Sequence, residues 1–131
     1  MARHLELTLP AVPAKVRDAR EAVASFMIEL GADEDTVDDV RLCVSEAVAN
    51  VVRHAYADGG ELLVRVEEQA GEVTVVVGDE GSGLSSFKSD GDLGYGLRII
   101  DRLAARCAIK SAPNVGTEVQ MVFPLRRGPA G

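Results

Sequence analysis

Three short stretches of the chain carry residue types and spacings that could do chemistry. In "SEAVANVVRHAY" (45–56), Glu46, Asn50, Arg53 and His54 recur three or four residues apart, so on a helix they share one side. A helix needing only to be soluble would spread its polar groups over the solvent face, whereas here a carboxylate, an amide and two potential cations gather beside an apolar stripe. In "VTVVVGDEGSGL" (73–84), a valine strand ends on Asp79 and is followed by Gly81 and Gly83. Asp-x-Gly is common turn chemistry. A carboxylate just past a sheet's edge can also accept from an amino group lying between sheet and helices, and spaced glycines let the backbone approach a flat ligand. In "GDLGYGLRII" (91–100), Gly94 and Gly96 immediately precede an apolar-periodic segment, so the free N–H groups of a helix start could hold phosphates. Taken singly, the two glycine patterns mark loops more often than sites.

Several familiar alternatives fail on spacing. Neither glycine loop contains Gly-x-x-x-x-Gly-Lys-Ser/Thr or the dinucleotide-binding Gly-x-Gly-x-x-Gly. The triplets His-Arg-Asp and Asp-Phe-Gly of the large protein-kinase fold are missing as well.

The elements that must position these stretches are legible from periodicity. "HLELTLP" alternates Leu5, Leu7 and Leu9 with polar residues and predicts a first strand. Val16, Ala19, Val23, Phe26 and Leu30 then step by three and four, giving an amphipathic helix that Gly31 ends. Asp33, Glu34 and Asp35 open a second helix, with Val37, Val40, Val44, Ala47 and Val51 as its apolar stripe. Glu46, Asn50 and Arg53 are expected on the rim of that stripe, between core and solvent. "ELLVRVEE" and "EVTVVVGD" predict two strands joined by the turn "QAG". After the glycine- and serine-rich loop, "LRIIDRLAARC" predicts a third helix, and "CAIKS" with "TEVQMVFPL" a closing hairpin. Strands and helices with one apolar face each predict an α+β fold, a two-layer sandwich whose mixed, mostly antiparallel sheet carries three helices on one face. The chain reads as one domain over residues 1–126 with a disordered tail at 127–131.

Bulk properties narrow the function. A net charge of −7 argues against nonspecific nucleic-acid binding, and any anionic ligand must be met by local positive groups. No apolar run approaches a membrane span, and "MARHLELTLP" has no signal-peptide core. Cys43 and Cys107 sit in apolar patterns and read as buried free thiols. A cytoplasmic protein fits these features.

The order Glu46-x-x-x-Asn50 on a helix, Asp79-x-Gly81-x-Gly83 after a strand, and Gly94-x-Gly96 before a helix resembles the Bergerat-fold ATP-binding domains. These are shared by gyrase B, histidine kinases and the anti-sigma-factor serine/threonine kinases. "SEAVANVVRHAY", "DEGSGL" and "GYGLRII" look like the last branch, whose domain stands alone at about this length. The resemblance implies ATP and Mg²⁺ as ligands, with Asn50 holding the metal and Glu46 acting as general base. It makes Asp79 the acceptor for the adenine amino group, with Gly81 and Gly83 beside the base. Gly94 and Gly96 would offer N–H groups to the phosphates, and Thr117 would support adenine from the neighbouring strand. Arg53 and His54 would lie on the nucleotide side of the helix. Leu84 to Leu93 would form a short lid that orders on nucleotide. The implied function is a protein serine/threonine kinase that is also an anti-sigma factor, whose partners are a sigma factor and an antagonist protein that it phosphorylates; a homodimer is expected. The alternatives are a non-catalytic ATP-binding interaction module of the same fold, or a ligand-free structural domain.

Overall fold

The computed structural model describes residues 3–55, 60–79, 94–112 and 116–128, with backbone alone at 54–55, 94–97, 111–112 and 116–117. The elements run β1 (Arg3–Pro10), α1 (Lys15–Glu29), α2 (Glu34–Ala55), β2 (Glu61–Gln69), β3 (Glu72–Asp79), α3 (Gly94–Leu103), β4 (Arg106–Ala112) and β5 (Gly116–Pro124). They form a five-stranded sheet in the order β1-β2-β3-β5-β4. All four pairings are antiparallel, so among the described residues the sheet is not mixed but uniform.

Side-chain alternation sorts the sheet into two faces. Leu5, Val66, Val75, Met121 and Cys107 form one cross-strand row; Leu7, Val64, Val77, Val119 and Ile109 form the next. These rows lie under the helices, where Val64, Val66, Val75, Val77 and Met121 are fully buried with Met27, Val40, Val44, Val51 and Ile100. Fully burying such side chains contributes about 1.5–3 kcal/mol each before entropy is counted. The opposite face carries His4, Glu6, Arg65, Glu67, Glu118 and Gln120 at alternate positions, as expected where an antiparallel sheet meets water on one side.

Local chemistry explains where the helices stop. Gly31 adopts φ +85°, the Gly31 N–H donates to the Ile28 carbonyl at 2.9 Å, and the Ala32 N–H donates to the Met27 carbonyl at 3.1 Å. That pair of bonds is a Schellman closure, which needs a left-handed residue and so favours glycine. Asp33 then caps α2, its Oδ1 accepting from the Thr36 N–H at 2.8 Å. The pairing continues past residue 126, where the sequence reading ended the domain. Ala32 bridges Arg127, the Asp33 N–H donates to the Arg126 carbonyl at 2.6 Å, and the Gly128 N–H donates to the Gly31 carbonyl at 3.0 Å. Residues 129–131 lie outside the described residues.

Candidate functional site

Topology collects the chemistry-bearing residues at one end of the sandwich. The start of α2 is fastened to the chain just after β5, which makes it the far end. Its other end, Ala55, is separated by only residues 56–59 from Gly60 and the start of β2. Leu62 of β2 is the cross-strand partner of Asp79, and Asp79 is in turn the partner of Thr117 on β5. The C-terminus of α3 leads through Ala104 and Ala105 to Arg106, which pairs with Val122 toward the far end. A helix returning from there places its N-terminus, with Gly94 and Gly96, at the Asp79 end. The C-terminal part of α2, the last residue of β3, Thr117 and the beginning of α3 therefore converge.

α2 spans 22 residues, about 33 Å, which puts Asn50 about 8 Å and Glu46 about 14 Å short of its end. At 100° per residue, Glu46, Asn50 and Arg53 fall within an arc of about 60°. Their burial is graded. Asn50 is only 2% exposed, Glu46 is half-buried and Arg53 is exposed. The rim position expected for all three holds for Glu46; Asn50 lies deeper, because its flank of α2 is covered by the rest of the fold, and Arg53 lies outside it. Cys43, two turns earlier on that flank, is fully buried. Arg53 points nearly opposite to the core stripe.

Asn50 is the residue that packing does not explain. Its Oδ1 accepts from Arg53 Nη1 at 3.1 Å, while its Nδ2 is buried with no hydrogen-bond partner among the described residues. An unsatisfied buried amide donor costs about 1–3 kcal/mol, and an apolar residue at that position would avoid it. The arrangement also fixes the sense of the carboxamide. With Nδ2 turned inward, Oδ1 looks toward the solvent side, where a hard oxygen suits a hard cation such as Mg²⁺. Residues and group therefore fit.

Asp79 is 6% exposed and ends β3 on the helix-covered side, the third member of the row Leu9, Leu62, Asp79, Thr117. Placing a carboxylate where the two preceding rows place valine gives that end of the layer a polar floor. Thr117 stands directly across from Asp79 in register, as the neighbouring-strand position expected of it. Gly94 and Gly96 do not precede α3 but form its first turn. The sequence reading started the helix later because Gly-x-Gly has poor helix propensity. The correction leaves the donor argument standing, since the first N–H groups of a helix have no intrahelical acceptor wherever its boundary falls. Gly81, Gly83 and the lid segment Leu84 to Leu93 lie outside the described residues, as does the side chain of His54.

A cavity of about 100 Å³ lies mainly against the uncovered face of the sheet, lined by Glu6, Arg65, Val76, Gly78 and Glu118, with Leu7, Leu63 and Asp79 also on its wall. Asp79 borders it, but Glu46, Asn50 and Arg53 do not, so it is not the place where these groups converge. No helix among the described residues is long and apolar enough to cross a membrane.

A model of the histidine kinase-like ATPase domain matches residues 9–123. The chain is 33% identical to the anti-sigma F factor of Clostridium botulinum (strain Eklund 17B / Type B), over 79% of this chain and 81% of that protein. It is 30% identical to the anti-sigma F factor of Oceanobacillus iheyensis, over 97% of this chain and 96% of that one. Among solved structures, a chain of the SiaB-SiaC complex from Pseudomonas aeruginosa superposes with a TM-score of 0.69 at 17% identity, covering 91% of this chain and 88% of that one. That likeness concerns the fold. Matched over nearly its whole length, with the helix, strand end and helix start meeting as described, this chain belongs to the histidine kinase-like ATPase domain family.

Proposed function

We propose that this chain is an anti-sigma factor and protein serine/threonine kinase of a partner-switching system in the cytoplasm. It binds Mg-ATP at the Asn50–Asp79 end, sequesters a sigma factor, and phosphorylates an antagonist protein. The observation that carries the site reading is the buried Asn50, with an orphaned Nδ2 and an outward Oδ1, one turn from the half-buried Glu46. The relatives named anti-sigma F factor support the sigma-factor part of the reading.

Each residue then has a task. Asp79 accepts from the exocyclic amino group of adenine, and Thr117, its cross-strand partner, lies beside it in register. The first-turn N–H groups at Gly94 and Gly96 donate to phosphate oxygens. Asn50 Oδ1 holds the Mg²⁺, which when bound neutralises phosphate charge. Glu46 takes the proton from the acceptor serine or threonine hydroxyl. As that oxygen bonds to the γ-phosphorus, the bond to the bridging β,γ-oxygen breaks and ADP leaves. Arg53, exposed beside Asn50, is assigned to the phosphates together with His54, next on the chain, and Gly81 and Gly83 are assigned to the base by their place in the sequence after Asp79.

The test is transfer of labelled γ-phosphate to a co-encoded antagonist protein. Wild type should label a serine or threonine. Glu46→Gln should lose transfer by about a hundredfold or more while still binding nucleotide. Transfer by Glu46→Gln at the wild-type rate would remove Glu46 as the base. Nucleotide binding by wild type without transfer to any antagonist would make the chain a non-catalytic ATP-binding module.

A further inference from the structure

We propose that Arg53 and the divalent cation are alternative partners of one atom, the Asn50 carboxamide oxygen. Arg53 then supports nucleotide binding while the metal is absent and gives way when it binds. This rests on the reading of Asn50 as the cation ligand.

The contact is direct: Arg53 Nη1 donates to Asn50 Oδ1 at 3.1 Å. The carboxamide cannot turn to release it, because a flip would present the Nδ2 donor to a guanidinium that has only donors. Among the described residues the buried Nδ2 has no partner that would reward either sense, so Arg53 is the group that sets the amide. The oxygen is therefore held outward, ready for a cation, by a cation. A guanidinium already within hydrogen-bond distance of Oδ1 and a dication ligated by the same oxygen repel across a very short separation. One must leave, and Arg53 is the movable one. It is exposed, and among the described residues no carboxylate pairs with it. Its partner is a neutral amide, a weaker hold than an ion pair.

A released guanidinium on this side of α2 keeps its charge beside the nucleotide phosphates, which the chain's net charge of −7 otherwise disfavours. Its contribution is largest when no metal shares the load. Arg53 is thus a positioning residue whose effect depends on the metal, unlike a phosphate clamp acting independently of it.

Equilibrium binding of ATP to the full chain, measured in EDTA and in Mg²⁺, tests this with wild type, Arg53→Met, Arg53→Lys and Asn50→Ala. Arg53→Met should weaken binding about tenfold in EDTA and less than about threefold in Mg²⁺. Arg53→Lys, which keeps the charge, should recover most of the EDTA binding. Thermal unfolding of Arg53→Met close to wild type excludes misfolding, as expected for an exposed side chain. Equal losses in EDTA and Mg²⁺, or no loss in EDTA, would overturn the exchange. Asn50→Ala separates this from the underlying reading: if it retains the wild-type enhancement by Mg²⁺, Asn50 is not the cation ligand and both fall. If Asn50→Ala abolishes the enhancement while Arg53→Met loses equally in both conditions, only the exchange fails.

Discussion

Asp79 and Thr117 are direct cross-strand partners where β3 ends and β5 begins, in the row that follows two rows of buried apolar residues. The pairing ties the group proposed to read the base to a strand held on both sides, so its position is set by the sheet and not by the glycine loop that follows.

That placement makes base recognition separable from phosphate binding. Wild type should prefer ATP to GTP. Asp79→Ala should lose about tenfold or more in ATP affinity and most of the preference, the worth of a hydrogen bond to a charged acceptor. Asp79→Asn, which preserves side-chain shape, should lower the preference with less effect on stability. Competition binding with both nucleotides reads the ratio; an unchanged ratio in both variants would remove Asp79 from base recognition.

The β2–β3 hairpin carries a removable strain. Gln69 pairs with Glu72, leaving a two-residue turn in which Ala70 has φ 55° and Gly71 φ 81°. Both central residues of such a turn need positive φ, and alanine pays about 1–2 kcal/mol for it. Ala70→Asn should therefore stabilise the protein by about 1 kcal/mol, raising Tm by about 3–5 °C. A calorimetric Tm at or below wild type would contradict the turn assignment.

Asp33 predicts an acid dependence. Hydrogen bonds from the Thr36 side chain and backbone, aided by the charge of Arg126, hold its carboxyl below the usual carboxylate range. A folded pKa below the unfolded one gives stability that is present above about pH 4 and lost as pH falls through the folded value. Asp33→Asn retains a capping oxygen but cannot titrate. Its Tm should fall less steeply with acid than that of wild type, and parallel curves would count against the cap as the source.

Cys43 predicts the alkaline counterpart. Burial first, then the charges of Asp39, Cys107 and Glu46, push its thiol up to about 12. A folded pKa above the unfolded one gives stability that is complete below about pH 8.5 and lost as pH climbs through the folded value. Wild-type stability should decline above that point, and Cys43→Ala should flatten the decline. In the native state at pH 8 a thiol reagent should leave Cys43 unmodified until the protein unfolds.

Much of this was legible in the residues, for identifiable reasons. β3 reads correctly to its last residue because a valine run stopped by Gly78 and Asp79 has no helical alternative. The stripe from Val37 to Val51 places α2 and therefore the spacing of Glu46 and Asn50. Three features were not legible. The first turn of α3 contains the very glycines that argue against a helix. The fastening of Arg126 to Gly128 onto the α1–α2 turn uses backbone bonds that leave no side-chain pattern. The spacing of Asn50 and Arg53 allowed their contact, and the 100° step already turns Arg53 away from the core stripe, but the burial of Asn50 depends on what covers its flank of α2.

The strand order has a further consequence for how the chain reaches this state. β5 lies between β3 and β4 in the sheet, although it is the last strand made. Until residues 116–124 arrive, "VTVVV" presents an open edge that is rich in β-branched residues and carries no charge from Val73 to Val77. Such a window pairs readily with a second unfinished copy. Refolding should therefore lose yield to aggregation as concentration rises, and a synthetic peptide covering 116–124, added during refolding, should compete for that edge.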